Sequence, residues 1–356
     1  MQKNYFHLRD VSSTRSFTFA MITKRIVRRL RTQLLSNVAI DYTRIFGDIP
    51  LGKGVKLLYI DENGLIALEK PNGILSHPNT ISDIGRSLIR SNYCAESESY
   101  MIGRDRHLKS ELWLLHRLDS STSGIILVSL NREVAYSVKK LFSKNIVHKR
   151  YYALCFPKYP IPHQLNDSLI WKDKISIDHK DGKVRAVQNL QHLKSFQAES
   201  EVFIVKKVEG IPEVVLLEMR PTTGRTHQLR YQCSIRNLPI VGDKTYGDFK
   251  LNRSLAKKLK SSRLRLYLHC FHISFAYTCN GKTYQVLIHN DADFFDTPGL
   301  GLWPCISVLS GLAYLPSITA GSLITESKTI IILPLQRRDG RHRQSLVPTN
   351  IDRRLH

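Results

Sequence analysis

Between Val55 and Ile288 the apolar residues recur mainly at every second position, in short runs such as Gly64 to Leu68, Val202 to Val208 and Val214 to Met219. That period belongs to strands with one buried face, and it leaves room for few helices, patterned here at Arg132 to Asn145 and Ser254 to Lys260. Strands in excess with scattered helices predict an α+β domain built on a large mixed, mainly antiparallel sheet with flanking helices. The segment Thr80 to Leu112, rich in Ser, Glu and Arg, reads as an insertion with room for a helix. Two apolar blocks, Leu112 to Leu115 and Ile125 to Val128, have the character of core strands, and the residues between them are largely polar. A turn held by two such strands is a rigid edge that can present the Asp119 carboxylate to a substrate. An Asp followed by Ser-Ser-Thr also commonly caps its own turn. Capping does not explain Arg117, two residues earlier.

The string His116-Arg117-Leu118-Asp119 resembles the His-Arg-Leu-Asp motif of the RluA-type pseudouridine synthases, which isomerise uridine in structured RNA, and further blocks follow in that family's order. Ahead of it, Leu65 to Pro78 is similar to the family's opening strand and Lys-Pro-x-Gly turn. After it come Lys149-Arg150-Tyr151, Gly224-Arg225-Thr226-His227-Gln228-Leu229-Arg230, Gly242-Asp243-Lys244-Thr245-Tyr246-Gly247 and Leu268-His269-Cys270. The resemblance spans about two thirds of the chain, Val55 to Ile288, and implies the pseudouridine synthase catalytic fold with its cleft across a mixed sheet. The block from Gly242 to Arg253 is similar to the stand-alone branch that modifies a tRNA stem, with ribosomal RNA as the alternative substrate. A non-catalytic RNA-binding protein on the same scaffold would not need Asp119, Tyr151 and Arg225 together. A two-carboxylate glycosidase is disfavoured because no second acid accompanies Asp119 in these blocks.

Isomerising uridine requires breaking the N1 to C1′ bond, turning the base and rejoining it through C5, with no net redox change. The resemblance implies that this needs no metal or organic cofactor and that Asp119 is the central group. Its carboxylate either attacks C1′ or removes the C2′ proton, two routes the sequence does not separate. A carboxylate in a water-excluding cleft stays ionised only beside a cation. By resemblance Arg225 is that cation, with Arg230 as the alternative partner or as a phosphate ligand. By resemblance Tyr151 stacks on the uracil and helps remove the C5 proton; strand alternation sends Tyr151 and Tyr152 to opposite faces, so only one of the two rings can face the cleft. The resemblance also implies that Arg117, with help from His116, expels the target nucleotide from its stack and that Leu229 packs on the uracil. Departures from the family pattern are His148, Glu69 and Cys270, which stands where Ala is common.

The chain carries 53 Lys and Arg against 30 Asp and Glu, a net charge of +23, which predicts attraction to a polyanion such as RNA. Its six cysteines form no C-x-x-C pair, and His269, Cys270, His272 and Cys279 alternate as in a strand, so they read as packing residues rather than metal ligands. Reduced thiols point to an intracellular protein. Residues 1–54 are a basic N-terminal extension. Ile22, Ile26, Leu30 and Leu34 recur at helical spacing among arginines, which suits an organelle-targeting segment, an RNA arm or a charged extension equally. The location is therefore cytoplasmic, or organellar if this segment is a transit peptide. No separate RNA-binding module precedes the catalytic blocks, so the catalytic domain, residues 55–296, is expected to make most RNA contacts, as a monomer. Residues 297–356 form a C-terminal extension without an assigned role. Within it the uncharged stretch Thr297 to Thr325 is broken by Pro304 and Pro316, which argues against a membrane helix.

Overall fold

The computed structural model describes residues 46–103, 110–160, 167–180, 183–188, 193–208, 212–261 and 264–290, together with the backbone strands 323–325 and 328–334. The N-terminal helical pattern, the proline-broken stretch before Leu323 and the basic tail lie outside these residues. The fold is that of the compact unit beginning at Asp48.

Among the described residues there are fifteen strands and three α-helices. In chain order the strands are β1 (Lys56–Ile60), β2 (Leu65–Lys70), β3 (Tyr93–Cys94), β4 (Ser99–Ile102), β5 (Ser110–Leu114), β6 (Ser123–Ser129), β7 (His148–Cys155) and β8 (Ser168–Lys180). They continue as β9 (Lys183–Gln188), β10 (Ser195–Val208), β11 (Val214–Pro221), β12 (Leu268–Cys279), β13 (Lys282–Asn290), β14 (Leu323–Thr325) and β15 (Lys328–Pro334). The helices are α1 (Arg132–Ser143), α2 (Gln228–Ile235) and α3 (Phe249–Lys258). All the strands join one sheet, whose main path runs β3-β4-β5-β6-β12-β7-β11-β10-β8-β9. The pair β6 with β12 is parallel, and the other described pairs are antiparallel, so the sheet is mixed and mainly antiparallel as expected. Strands β14 and β15 bring backbone from the C-terminal extension onto the edge of β13.

The strand β6 is buried along its whole length, because β2 covers it from one edge and β12 abuts it on the other. Its entry is a close approach of two backbones. Gly124 has φ +120, and a Cβ there would stand 2.2 Å from the carbonyl oxygen of Cys270. Gly124→Ala should therefore lower stability by about 3 kcal/mol, read from urea denaturation, whereas a loss below about 1 kcal/mol would mean the crossing is soft. Asn131 caps α1 by accepting from the N–H groups of Glu133 and Val134, and the helix buries Val134, Ala135 and Val138.

The insertion reads differently in three dimensions. Among its described residues one 3-10 turn, Ile81–Arg86, forms, and β3, β4 and the start of β5 lie there too. Tyr100, fully buried in β4, holds this flap to the domain by donating its hydroxyl to the carbonyl of Ser76. The helix patterned at Ser254 to Lys260 begins earlier, at Phe249, because the Asp248 carboxylate accepts from the N–H groups of Lys250 and Leu251 and starts the helix there. Helix α2 was not legible from the sequence. Its N-cap, His227, has a left-handed backbone and makes no side-chain cap.

Candidate active site

All seven residues singled out in the sequence line one cleft of about 760 Å³, between the Asp119 turn, β7, the loop after β11 and the β8–β9 hairpin. The Asp119 turn is closed by its backbone, with the Thr122 N–H donating to the Asp119 carbonyl at 3.0 Å, so the carboxylate is released from capping. The turn after β2 clamps it from below. Lys70, with no exposed surface, donates its ammonium to the carbonyls of Pro71, Ile74 and Ser120 at 3.1, 2.7 and 3.0 Å. Burial pulls the Lys70 pKa down to about 7, against the pull of the Asp119 charge. Ser76 completes the clamp, donating to the Leu118 carbonyl at 2.7 Å and accepting the Leu118 N–H at 3.0 Å. The Lys-Pro-x-Gly block thus fixes the position of a carboxylate some fifty residues away in sequence.

The cation beside Asp119 is Arg230. Its Nη1 lies 3.3 Å from Asp119 Oδ2, while Nε and Nη2 form a two-pronged pair with Asp243 at 2.8 and 2.9 Å. The expected pairing of Arg225 with Asp119 is corrected. Arg225 sits in the loop ahead of α2, donates Nε to the Gln197 carbonyl at 3.0 Å and lies over the Phe196 ring, so its side chain follows β10 along the cleft wall. Arg230 stands in the first turn of α2 and is 5% exposed, which directs it at the Asp119 turn. Burial opposes the Asp243 charge, yet the Arg230 guanidinium and the N–H groups of Tyr246 and Thr245 hold its carboxyl below the usual range. Burial likewise opposes the Arg230 charge, and Asp243 followed by Asp119 outweighs it, so this arginine remains charged.

Strand β7 divides its two tyrosines as alternation requires. Tyr151 lines the cleft, while Tyr152 stacks on Phe271 at 3.8 Å between ring centroids, inside the core on the other face. Tyr151 pairs across the sheet with Cys270 on one side and Met219 on the other, and its hydroxyl shares a hydrogen bond with the Cys270 thiol. Burial, then Cys270, raises its pKa well above the ordinary tyrosine value, so it is a neutral phenol. Lys149, two residues back on the same face, also lines the cleft, and burial lowers its pKa.

His116 stacks on Phe142 and accepts the Leu127 N–H on Nε2 at 3.1 Å. Burial, helped by the charge of Lys149, lowers its pKa to about 3, so it is neutral and ties β5 to β6 from the cleft floor. Arg117 is exposed at the rim, 3.3 Å from His77 Nε2, and His77 is stacked on Tyr93 of the insertion. Leu229 is 7% exposed at the start of α2. His227, Asp243 and Tyr246 carry roles that the motif blocks contained but did not reveal, because their partners are set by the tertiary fold. His227 Nε2 lies 3.7 Å from Asp119 Oδ2, and its Nδ1 lies 3.0 Å from the Tyr246 hydroxyl. Within β12, His269 is held by Ser123 and the Asn290 carbonyl, both at 2.9 Å, in keeping with packing.

A carboxylate anchored by a buried arginine, beneath a neutral phenol and beside a basic rim, defines a site for base and ribose chemistry on RNA. Residues 64–235 match the family model described as RNA pseudouridylate synthase. The chain is 30% identical over 236 residues to tRNA pseudouridine synthase C of Haemophilus ducreyi, covering 65% of this chain and 90% of that protein. It is 29% identical over 239 residues to ribosomal large subunit pseudouridine synthase C of Buchnera aphidicola, covering 67% and 68%. The solved structure of human RNA pseudouridylate synthase domain containing 1 is similar with 21% identity and a TM-score of 0.46, over 65% of this chain and 82% of that one. The chain belongs to the RNA pseudouridylate synthase family. It is an RNA-modifying isomerase.

Proposed function

We propose that this pseudouridine synthase acts on tRNA as a monomer, with Asp119 as the reacting carboxylate. The observation that carries the assignment is the Asp119–Arg230 contact at 3.3 Å in a cleft shared with Tyr151. Arg230 pairs with the Asp119 carboxylate, which acts on the ribose at C1′ or C2′ so that the glycosidic bond breaks. The detached uracil stays between Tyr151 and Leu229 while it turns, and the neutral Tyr151 phenol stands where the C5 proton must leave. Arg225 and Lys149 supply positive charge on the walls for the phosphates flanking the target. The preference for tRNA is supported by the Gly242 to Arg253 block and by relatives named tRNA pseudouridine synthase C. Turnover on purified tRNA and on ribosomal RNA fragments tests it. A higher kcat/KM on tRNA is expected, and a higher value on ribosomal RNA would reverse the substrate assignment.

Arg117 is proposed to fill the gap left by the expelled uridine. Arg117→Ala should then reduce turnover on folded tRNA about tenfold more than on an oligonucleotide whose target is already unpaired, because the unstacking cost is absent there. Equal losses on both would assign Arg117 to another task.

A further inference from the structure

His227 is placed with unusual economy. Its backbone is left-handed, with φ 55, it caps α2 without a side-chain hydrogen bond, and its ring spans the space between Asp119 and Tyr246. The two ring nitrogens meet different partners. Nε2 lies 3.7 Å from Asp119 Oδ2 and Nδ1 lies 3.0 Å from the Tyr246 hydroxyl. That hydroxyl accepts the N–H of Ala186, on β9, at 2.7 Å. A phenol has one proton to give. Burial raises the Tyr246 pKa to about 12, so the proton stays on the oxygen, and among the described residues the acceptor in reach is His227 Nδ1. Burial, opposed by Asp119 and aided by Arg230, lowers the His227 pKa and favours the neutral ring. A neutral imidazole that accepts at Nδ1 carries its hydrogen at Nε2.

We propose that His227 is a positioning residue that directs an Nε2–H at Asp119, and that Tyr246, held by the β9 backbone, fixes this tautomer. Both donors near Asp119, Arg230 Nη1 and His227 Nε2, face the same oxygen, Oδ2, which leaves Oδ1 for the substrate. The opposite tautomer would point a lone pair at the carboxylate and strand the Tyr246 proton. A separation of 3.7 Å is loose for a hydrogen bond, and such contacts commonly tighten when substrate fills the site. The proposal rests on Asp119 being the reacting carboxylate.

Nitrogen-15 NMR of histidine-labelled full-length protein reads the tautomer without turnover. The expected spectrum has His227 as the Nε2–H form in the wild type and as a mixture in Tyr246→Phe; an Nδ1–H form in the wild type overturns the proposal. In parallel, His227→Gln and His227→Met share the same backbone strain, but only Gln can offer an N–H near the Nε2 position. The Met variant should lose on the order of tenfold to a hundredfold in kcat with KM little changed, and Gln should recover most of it. Equal rates for Gln and Met also overturn the proposal. If the wild type forms no pseudouridine, the reading of Asp119 fails instead, while the tautomer measurement stands on its own.

Discussion

Replacing Asp119 by Asn is expected to abolish pseudouridine formation while leaving RNA affinity within a few fold. The amide keeps the shape and volume of the carboxylate, and the turn survives because it is closed by the Asp119 backbone carbonyl and clamped by Lys70 and Ser76. What disappears is the negative charge proposed to act on the ribose, a loss expected to show in kcat rather than in binding. Nucleoside analysis of RNA incubated with the variant, alongside a filter-binding isotherm, separates the two. Turnover within tenfold of wild type would remove Asp119 from the chemistry.

The second large effect is expected at Arg230. Its guanidinium serves two carboxylates, and Asp243, only 1% exposed, takes two of its nitrogens. Arg230→Met leaves Asp243 buried without its cation, with only the Thr245 and Tyr246 N–H groups as donors, which should cost about 3–5 kcal/mol of stability, and deprives Asp119 of its cation. Turnover at a temperature where the variant remains folded should fall by on the order of a hundredfold or more. Arg225→Ala is the control, because Arg225 donates to the Gln197 carbonyl and is half-buried on the cleft wall, away from Asp119. It should raise KM and leave kcat within about tenfold. If Arg225→Ala proves the more damaging to kcat, the pairing seen here is not the one that operates in catalysis.

The same pair of arginines marks how far the sequence could be read. Both lie in one motif, and spacing alone does not tell which reaches Asp119. The answer depends on where α2 begins, and its first residue follows a left-handed His227 that gives no capping signal. Strands were more legible in position than in burial, since β2 and β11 fall on the runs marked in the sequence but are buried on nearly every residue rather than on the one face that a period of two implies. Alternation also showed that only one of Tyr151 and Tyr152 can face the cleft, because a strand sends neighbours to opposite faces whatever it pairs with, and the motif resemblance chose Tyr151. The insertion was harder. Its polar composition hid β3 and β4, which are held at the sheet edge by Tyr100 and by pairing with β5 rather than by a strong pattern of their own. The roles of Asp243 and Tyr246 depend on contacts with residues many positions away, on Arg230 and on the β9 backbone, which no local pattern encodes.

The most direct measurement is a transcriptome-wide map of pseudouridine in cells lacking the protein, complemented with either the wild type or Asp119→Asn. The account predicts that at least one tRNA uridine loses its pseudouridine in the deletion, regains it with the wild type and stays unmodified with the variant. Restoration of every site by Asp119→Asn, or a map unchanged by deletion, would contradict it.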